Sequence, residues 1–400
     1  MSLRALFVTH SPPRPAISGD RIRTFHLMRE LRGRGWHVSL FSLVPPGEPE
    51  GLEDALGDAA DDWRLVSHRV RRGGRLIKLG AGLVRGRAFQ QHWFWSRTAA
   101  NALRVWLAAT EPSVLFVEQL YMYPYVPRSL RRSAVLDTQN LEIARMRAMA
   151  AADARPARRT MARLQLGHVA RFEVSAVASV GRVLAVSESE QAAFEAMAPG
   201  RVRLVPNGVD THAITPAADP PPSRSLLYVG SMSYAPNIDA VTFFVDEIAP
   251  LVRSDGVTLD VVGASPAPSV RRAAQAARIP TIVSGYVPDV TPYYADRRAM
   301  IVPLRQGGGT RLKILEALAR GLPVVTTSVG CAGLGLTHNR EALIADTPAT
   351  FAAAVDRLMA DDALWHALSQ AGRTYVEQHY DWGAIGAKLD SVMRELQDQA

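Results

Sequence analysis

Cysteine and lysine are scarce in this sequence of 400 residues. Its single cysteine, Cys331, rules out a disulfide within the chain and leaves no set of cysteines to hold a metal ion. Only three lysines, Lys78, Lys313 and Lys388, stand among 46 basic residues, so a lysine in a functional motif indicates a need for a compact ammonium group. No G-x-G-x-x-G turn follows the first predicted strand, which disfavours a nicotinamide enzyme.

Long apolar runs are also missing. The apolar segment 3–9 gives way to the proline-rich residues 11–15, and it is too short for the core of a signal peptide or for a membrane-spanning helix. We therefore expect a cytoplasmic protein.

Acidic residues are under-represented in the first half of the chain. The net charge is +8, yet residues 1–200 carry 28 basic and 18 acidic side chains, while residues 201–400 carry 18 and 20. The stretch 69–87 has seven basic residues and no acidic one, with apolar residues between them and aromatic residues soon after. This pattern is typical of a peripheral contact with an anionic membrane, here the inner face of the cell membrane. The alternative is a basic helix beside a cleft, with the aromatic residues in the core. Nucleic acid is disfavoured as a partner because no zinc-finger or RNA-recognition signature is present.

Short apolar strands alternate with helical patterns along the chain, which indicates an α/β protein with parallel sheets covered on both faces. One core seldom exceeds about 250–300 residues, so we expect two domains, 1–205 and 206–379, with a C-terminal helix of about 380–400 packing back on the first. The proline- and glycine-rich stretch 205–222 is the predicted linker. The predicted strands are 3–9, 37–43, 114–118, 134–137 and 183–187, then 225–230, 258–263, 281–284, 299–303 and 323–327.

The most informative stretch is 306–327, QGGGTRLKILEALARGLPVVTT, which follows an apolar strand. Its glycines leave backbone N–H groups accessible, and Thr310 is a suitable N-cap for the helix that follows. Arg311 and Lys313 fall in the first turn of that helix, where the backbone favours an anion, so together they predict a cradle for a diphosphate. An ordinary solvated helix start after a flexible loop is the alternative. The three glycines are Gly307, Gly308 and Gly309.

Glu316 lies one helical turn after Lys313 and on the same face. A carboxylate at this place could bind the vicinal hydroxyls of a ribose. The alternative is a simple salt bridge between Glu316 and Lys313.

Several of these segments resemble glycosyltransferase family 4, in its bacterial polysaccharide-associated branch. The resemblance rests on GGGTRLKILEALARGLPVVTT, on VPNGVD at 205–210, on YVGSMSYAPN at 228–237 and on DTQNLE at 137–142. It implies the GT-B fold, with two Rossmann-like domains facing a central cleft. It also implies a metal-independent hexosyl transfer from a nucleotide diphosphate sugar to an acceptor hydroxyl, with retention of anomeric configuration and without a cofactor.

The resemblance assigns roles to particular positions, and some positions depart from the family pattern. Glu316 matches the glutamate that binds the donor's ribose, whereas the first glutamate of the family pair falls at Gly308. Gly230 and Asn237 match donor-site positions, but the arginine and lysine common after Gly230 are absent, so Arg311 and Lys313 would take over the diphosphate. The family histidine falls at Gln139, which can hydrogen-bond a sugar hydroxyl but cannot exchange protons.

The loop before the first helix resembles the family's glycine-bearing loop beside the donor phosphates. Gly19 would let the backbone approach a phosphate, and Asp20 is assigned either to that site or to a helix cap.

Three classes of function remain open from the sequence. The first is a transferase acting on a polysaccharide intermediate, a glycolipid or a natural product. The second is a nucleotide-sugar epimerase or phosphorylase of the same fold, and the third is an inactive scaffold that binds a lipid surface or nucleic acid. The sequence names neither the base, the sugar nor the acceptor.

Overall fold

The computed structural model describes residues 3–15, 18–48, 51, 53–54, 56–68, 86–152, 156–307 and 311–399. These residues form two compact units. The first consists of residues up to Pro206 together with Ile385 onward, and the second runs from Asn207 to Ala384. Each unit is described by itself.

The first unit is built on a seven-stranded sheet in the order β3-β2-β1-β4-β5-β6-β7, in which every neighbouring pair is parallel. Its strands are β1 Arg4–Thr9, β2 His37–Val44, β3 Asp62–Ser67, β4 Val114–Glu118, β5 Ala134–Asp137, β6 Arg182–Ala185 and β7 Val202–Leu204. Its helices are α1 Gly19–Gly33, α2 Gln90–Trp93, α3 Arg97–Thr110, α4 Gln119–Met122, α5 Glu142–Ala152, α6 Pro156–Ser179 and α7 Glu188–Glu195. Strands β1, β4, β5 and β6 are almost wholly buried, as expected for a parallel sheet with both faces covered.

The second unit has a six-stranded parallel sheet in the order β10-β9-β8-β11-β12-β13. Its strands are β8 Ser225–Val229, β9 Thr258–Val262, β10 Thr281–Gly285, β11 Ala299–Val302, β12 Val324–Thr326 and β13 Leu343–Ile344. Its helices are α8 Ala235–Phe243, α9 Pro268–Ala276, α10 Thr291–Tyr294, α11 Leu312–Ala319, α12 Pro348–Ala360 and α13 Asp362–His379. Helix α8 continues as a short π-helix over Phe244–Ile248.

The last helix, α14 Trp382–Asp398, begins in the second unit, and its residues from Ile385 onward belong to the first. Polar contacts attach it there. Asp390 accepts a hydrogen bond from the indole of Trp36 at 2.7 Å, and Glu395 pairs with Arg182 and Arg203. The carboxyl pKa of Glu395 is lowered by the hydrogen bonds from these two arginines.

The predicted α/β class with two parallel-sheet units is confirmed, and all ten predicted strands are present within one or two residues of their expected ends. Three strands, β3, β7 and β13, were not predicted. No helix in the described part of the chain combines the length and the apolar character needed to cross a bilayer.

Candidate functional site

In the second unit the strand order changes direction between β8 and β11, and ligands of such sheets bind outside the carboxyl ends of the strands at that point. A cavity of about 250 Å³ lies there. Its lining includes Gly230, which follows β8, Gly307 from the segment after β11, and the start of α11. Two basic side chains, Arg311 and Lys313, line it, and the other described lining residues are uncharged, so this part of the cavity favours an anion.

Lys313 is fixed beside this cavity by polar contacts. Its Nζ lies 3.1 Å from Oδ1 of Asn237 and 3.2 Å from the hydroxyl of Tyr228, whose ring centre is 4.3 Å away. Asn237 also accepts a hydrogen bond from Tyr228 and donates to the carbonyl of Ser231. Burial lowers the pKa of Lys313 to about 7, and the nearby charge of Arg311 adds to this effect. A bound anion would therefore restore a charge that the unliganded site disfavours.

Gly230 is required at its position by close packing. A β-carbon there would lie 2.7 Å from Nδ2 of Asn237 and 2.8 Å from Nζ of Lys313. On its other side, the carbonyl oxygen of Gly230 is 1.8 Å from where a β-carbon of Gly263 would stand. The two glycines let the ends of β8 and β9 approach each other and leave room for the Lys313 ammonium.

Arg311 is 8% exposed and occupies the N-cap position of α11, which therefore begins at Leu312. Burial lowers the pKa of its guanidinium. Gly307 has a positive φ of 129°, a backbone conformation that favours glycine, and a β-carbon there would lie 3.4 Å from a terminal nitrogen of Arg311. Since Arg311 is the N-cap, the prediction that Thr310 caps this helix is wrong. The predicted roles of Gly308 and Gly309 fall on positions outside the described residues.

Glu316 is partly buried, and burial raises its pKa. Its Oε2 accepts a hydrogen bond of 2.9 Å from the hydroxyl of Tyr294, and Arg320 stacks over the same ring at 4.6 Å. The alternative prediction, a salt bridge between Glu316 and Lys313, is wrong. These two described side chains hydrogen-bond to different partners and form no ion pair with each other. Oε1 of Glu316 has no hydrogen-bond partner among the described residues, and the ribose contact expected of this glutamate stays a prediction.

The first unit changes strand order between β1 and β4, and a polar cluster lies at that point. His10 follows β1, Glu118 ends β4, and Asp20 lies in the first turn of α1. Nδ1 of His10 is 2.9 Å from Oε2 of Glu118, and Nε2 is 3.4 Å from Oδ2 of Asp20. Asp20 is therefore not a helix cap, since the N-cap residue is Ser18. Gly19 is exposed, and an added β-carbon there would meet no atom within 4 Å.

Gln139 lies just beyond β5 with a positive φ of 54°, and its side-chain amide donates to Asp137 at 3.0 Å. Asp137 is also paired with Arg23, and both side chains are almost fully buried. A buried carboxylate lies at the start of the following helix, α5. Glu173 accepts hydrogen bonds there from the backbone N–H groups of Glu142 and Ile143. Burial raises the pKa of Glu173 to about 7. The segment 137–142 is thus hydrogen-bonded to buried carboxylates at both of its ends.

Sequence reasoning missed His10, Glu118, Tyr228 and Tyr294. The first two carried a signal, since each is a polar residue at the carboxyl end of a buried strand. Among the described residues, His10, Asp20 and Glu118 are the one group placed closely enough to hold a metal ion. The expectation that the protein needs no metal stays a prediction.

Family comparisons cover both units. Residues 17–213 match the sequence model described as Glycosyltransferase Family 4, and residues 223–361 match the model described as Glycosyl transferases group 1. The chain belongs to the family 4 glycosyltransferases. The resemblance noted in the sequence is thereby confirmed at the level of the family.

The individual curated relatives of this family 4 chain match only part of its length. A GDP-mannose-dependent α-(1-6)-phosphatidylinositol monomannoside mannosyltransferase from Mycobacterium tuberculosis is 31% identical over 155 residues, which cover 36% of this chain and 40% of that protein. The match therefore spans well under half the length of this curated relative.

Two solved structures show the GT-B fold over nearly the whole chain. Sucrose-phosphate synthase from Thermosynechococcus elongatus superposes with a TM-score of 0.69 at 18% identity, covering 100% of both chains. The Anabaena protein HepE, solved in complex with UDP and glucose, has a TM-score of 0.66 at 13% identity and covers 98% of this chain and 100% of its own.

Proposed function

We propose that this protein transfers a hexose from a nucleotide diphosphate sugar to an acceptor hydroxyl, with retention of configuration and without a metal ion. The observation that carries the proposal is the cavity at the β8–β11 switch point, where Arg311 and Lys313 face a space and none of the described lining residues is acidic. Two fixed cations suit the diphosphate that leaves in the reaction, because they stabilise the negative charge that develops on it.

The surroundings of the cavity fit the rest of a nucleotide. Glu316 presents Oε1 one helical turn beyond Lys313, which is the arrangement expected for binding ribose hydroxyls. In the first unit, the family resemblance assigns Gln139 to a hydroxyl of the transferred sugar, and its side-chain amide is bonded to Asp137. The mycobacterial relative uses GDP-mannose and HepE was solved with UDP and glucose, so GDP and UDP are the first nucleotides to test.

Thermal unfolding in the presence of UDP, GDP, ADP or dTDP, each with and without magnesium, tests the proposal. A ligand present at a hundred times its dissociation constant adds about 2.7 kcal/mol of stability, which is easily seen. We expect one diphosphate to stabilise the protein without metal, and Lys313→Ala and Glu316→Ala to remove the effect. Lys388→Ala, which removes an exposed lysine of α14, is the matched control and should keep it.

Stabilisation that requires magnesium would overturn the metal-independent mechanism. Stabilisation that survives both Lys313→Ala and Glu316→Ala would overturn the assignment of the site. Product analysis with the matching nucleotide sugar then separates a transferase, which releases the diphosphate, from an epimerase, which leaves the sugar attached to it.

We also propose peripheral attachment to an anionic membrane through the basic stretch 69–87, of which residues 69–85 lie outside the described residues. The support is its charge and the lipid acceptor named for the mycobacterial relative. Co-sedimentation with vesicles containing phosphatidylglycerol should fall when Arg71, Arg72 and Arg75 are changed to Gln. Binding equal to that of the unchanged protein would contradict the attachment.

A further inference from the structure

The side-chain nitrogen of Lys313 has a fixed orientation at the cavity of the second unit. Apart from its bond to Cε, this nitrogen has three positions, each of which holds a proton or a lone pair. Two of them are occupied, because Nζ lies 3.1 Å from Oδ1 of Asn237 and 3.2 Å from the hydroxyl oxygen of Tyr228. Lys313 lines the cavity and has no third hydrogen-bond partner among the described residues. The third position is therefore the one open to a ligand.

The hydrogen bonds of Asn237 determine which groups donate to this network and which accept. Its Nδ2 donates to the backbone carbonyl of Ser231 at 2.9 Å, so its Oδ1 faces Tyr228 and Lys313. The single hydroxyl proton of Tyr228 goes to the same Oδ1, at 2.8 Å. Only lone pairs of the Tyr228 oxygen then remain for Lys313, which must donate to them. Both protein partners of Lys313 thus accept a hydrogen bond from it.

Lys313 is the group of this network whose charge changes near neutral pH. Burial lowers its pKa to about 7; the charge of Arg311 lowers it further, and that of Glu316 acts in the opposite direction. Tyr228 is fully buried, and burial raises its pKa well above the ordinary value, so its hydroxyl keeps its proton. The amide of Asn237 does not titrate. The two acceptors therefore stay the same while Lys313 gains or loses a proton.

The two charge states of Lys313 present different groups to the cavity. An ammonium has three N–H groups, so the third is offered to a ligand while Tyr228 and Asn237 bind the other two. A neutral amine has only two N–H groups, which the same acceptors bind, and its lone pair then takes the third position. The lone pair repels the oxygen atoms of a diphosphate, whereas the charged N–H group forms a strong hydrogen bond with them.

We propose that Tyr228 is a positioning residue for the donor diphosphate, which with Asn237 directs one N–H group of the Lys313 ammonium to the anion and so couples binding to the uptake of one proton. The inference rests on the donor binding proposed above. Tyr228 is not among the described lining residues of the cavity and acts through Lys313. Because a hydrogen bond to the charged form of a group favours that form, the Tyr228 hydroxyl also raises the pKa that burial lowers.

Calorimetric titration of Tyr228→Phe at pH 6 and pH 8, with the diphosphate that stabilises the unchanged protein, tests the inference. The substitution keeps the ring and removes one acceptor of Lys313, which should lower the pKa of Lys313 by about one unit. We therefore expect the variant to bind about tenfold more weakly at pH 8 and only about twofold more weakly at pH 6. Comparing the two proteins at the same pH cancels the ionisation of the ligand itself.

Tyr380→Phe is the matched control. Tyr380 is a second buried tyrosine of the same unit, and its hydroxyl donates to the backbone carbonyl of Leu334 at 3.2 Å, away from the lining of the cavity. This variant should bind the diphosphate like the unchanged protein at both pH values. A loss of affinity in Tyr228→Phe that is equal at pH 6 and pH 8, or that stays below threefold at pH 8, would overturn the inference.

Proton uptake by the unchanged protein provides a second test that needs no variant. At pH 8 the diphosphate is itself fully ionised, so a proton taken up on binding goes to the protein. Titrations in buffers with different enthalpies of ionisation should show uptake of close to one proton, and no uptake would overturn the inference. If the unchanged protein binds none of UDP, GDP, ADP and dTDP, the donor function itself fails, and this inference fails with it.

Discussion

In the first unit the strand order turns between β1 and β4, and in the second unit it turns between β8 and β11. The same topology thus creates two equivalent places, yet the residues differ. The first holds a histidine between two carboxylates, with an arginine–aspartate pair buried beside it. The second holds two cations, a glycine and an amide, with a cavity. A parallel sheet fixes where a ligand binds, and the side chains that follow the strands determine its chemistry.

A buried arginine–aspartate pair of the first unit and an exposed one of the second should differ most in what they contribute to stability. Arg23 is 1% exposed and bonds to Asp137 and to the carbonyls of Val205 and Pro206. Arg23→Ala leaves Asp137 buried without this partner and should cost about 3–5 kcal/mol of unfolding free energy. Arg305→Ala breaks a solvent-exposed pair with Asp239 and should cost at most about 1 kcal/mol. Urea denaturation measures both, and similar losses would show that the buried pair is not special.

Glycine is needed for packing at one switch point and not at the other. Gly230→Ala places a methyl group against Asn237 and Lys313, so we expect a loss of about 1–3 kcal/mol in stability and at least a tenfold loss of diphosphate affinity. Gly19→Ala meets no atom within 4 Å and should keep its stability within about 0.5 kcal/mol. Calorimetric titration with the diphosphate also tests the predicted phosphate contact of Gly19. An unchanged affinity in Gly19→Ala would remove that residue from the site.

Lys313, at the switch point of the second unit, should make diphosphate binding depend on pH. With a pKa of about 7, Lys313 is protonated below pH 7 and loses its charge above it, so binding at higher pH requires uptake of a proton. Affinity should therefore fall by up to about tenfold per pH unit above pH 7. Titrations between pH 6 and 9 measure this, and Lys313→Gln should remove the extra dependence while keeping that of the phosphate itself. Parallel curves for the two proteins would contradict the lowered pKa.

Gln139 should have the smallest effect. Its amide is held by Asp137 in the first unit, and it makes a single hydrogen bond to the sugar in the proposed reaction. Gln139→Ala should lower turnover less than tenfold and leave the affinity for the free diphosphate unchanged, because the diphosphate does not contact it. A loss of turnover of about 100-fold or more would instead assign a central role to Gln139.

Hydrophobic patterning predicted most of the fold because buried parallel strands are short continuous apolar runs. Strands β4 and β5 were predicted with the bounds that the structure has. Strand β3 was missed because its sequence, DWRLVS, mixes charged and apolar residues at an edge of the sheet, where the strand is only partly buried. Strands β7 and β13 have three and two residues, too few for a pattern to emerge.

The candidate sites were predictable only where their residues are close in sequence. Arg311, Lys313 and Glu316 lie within six residues of one another, so helical spacing alone placed them together. The contacts of Lys313 with Tyr228 and Asn237 span 85 and 76 residues and depend on the tertiary packing that brings the start of α11 to β8 and to the start of α8. His10 and Glu118 meet only through the pairing of β1 with β4, which no local pattern reveals.

Hydrogen–deuterium exchange with saturating GDP or UDP, whichever stabilises the protein, tests the central claim most directly, since it shows where the nucleotide binds. We predict slower exchange in 230–237 and 311–316, unchanged exchange around His10 and Glu118, and no slowing anywhere in Lys313→Ala under the same conditions. Slower exchange confined to the first unit, or no slowing in the unchanged protein, would contradict the assignment of the diphosphate site to the second unit.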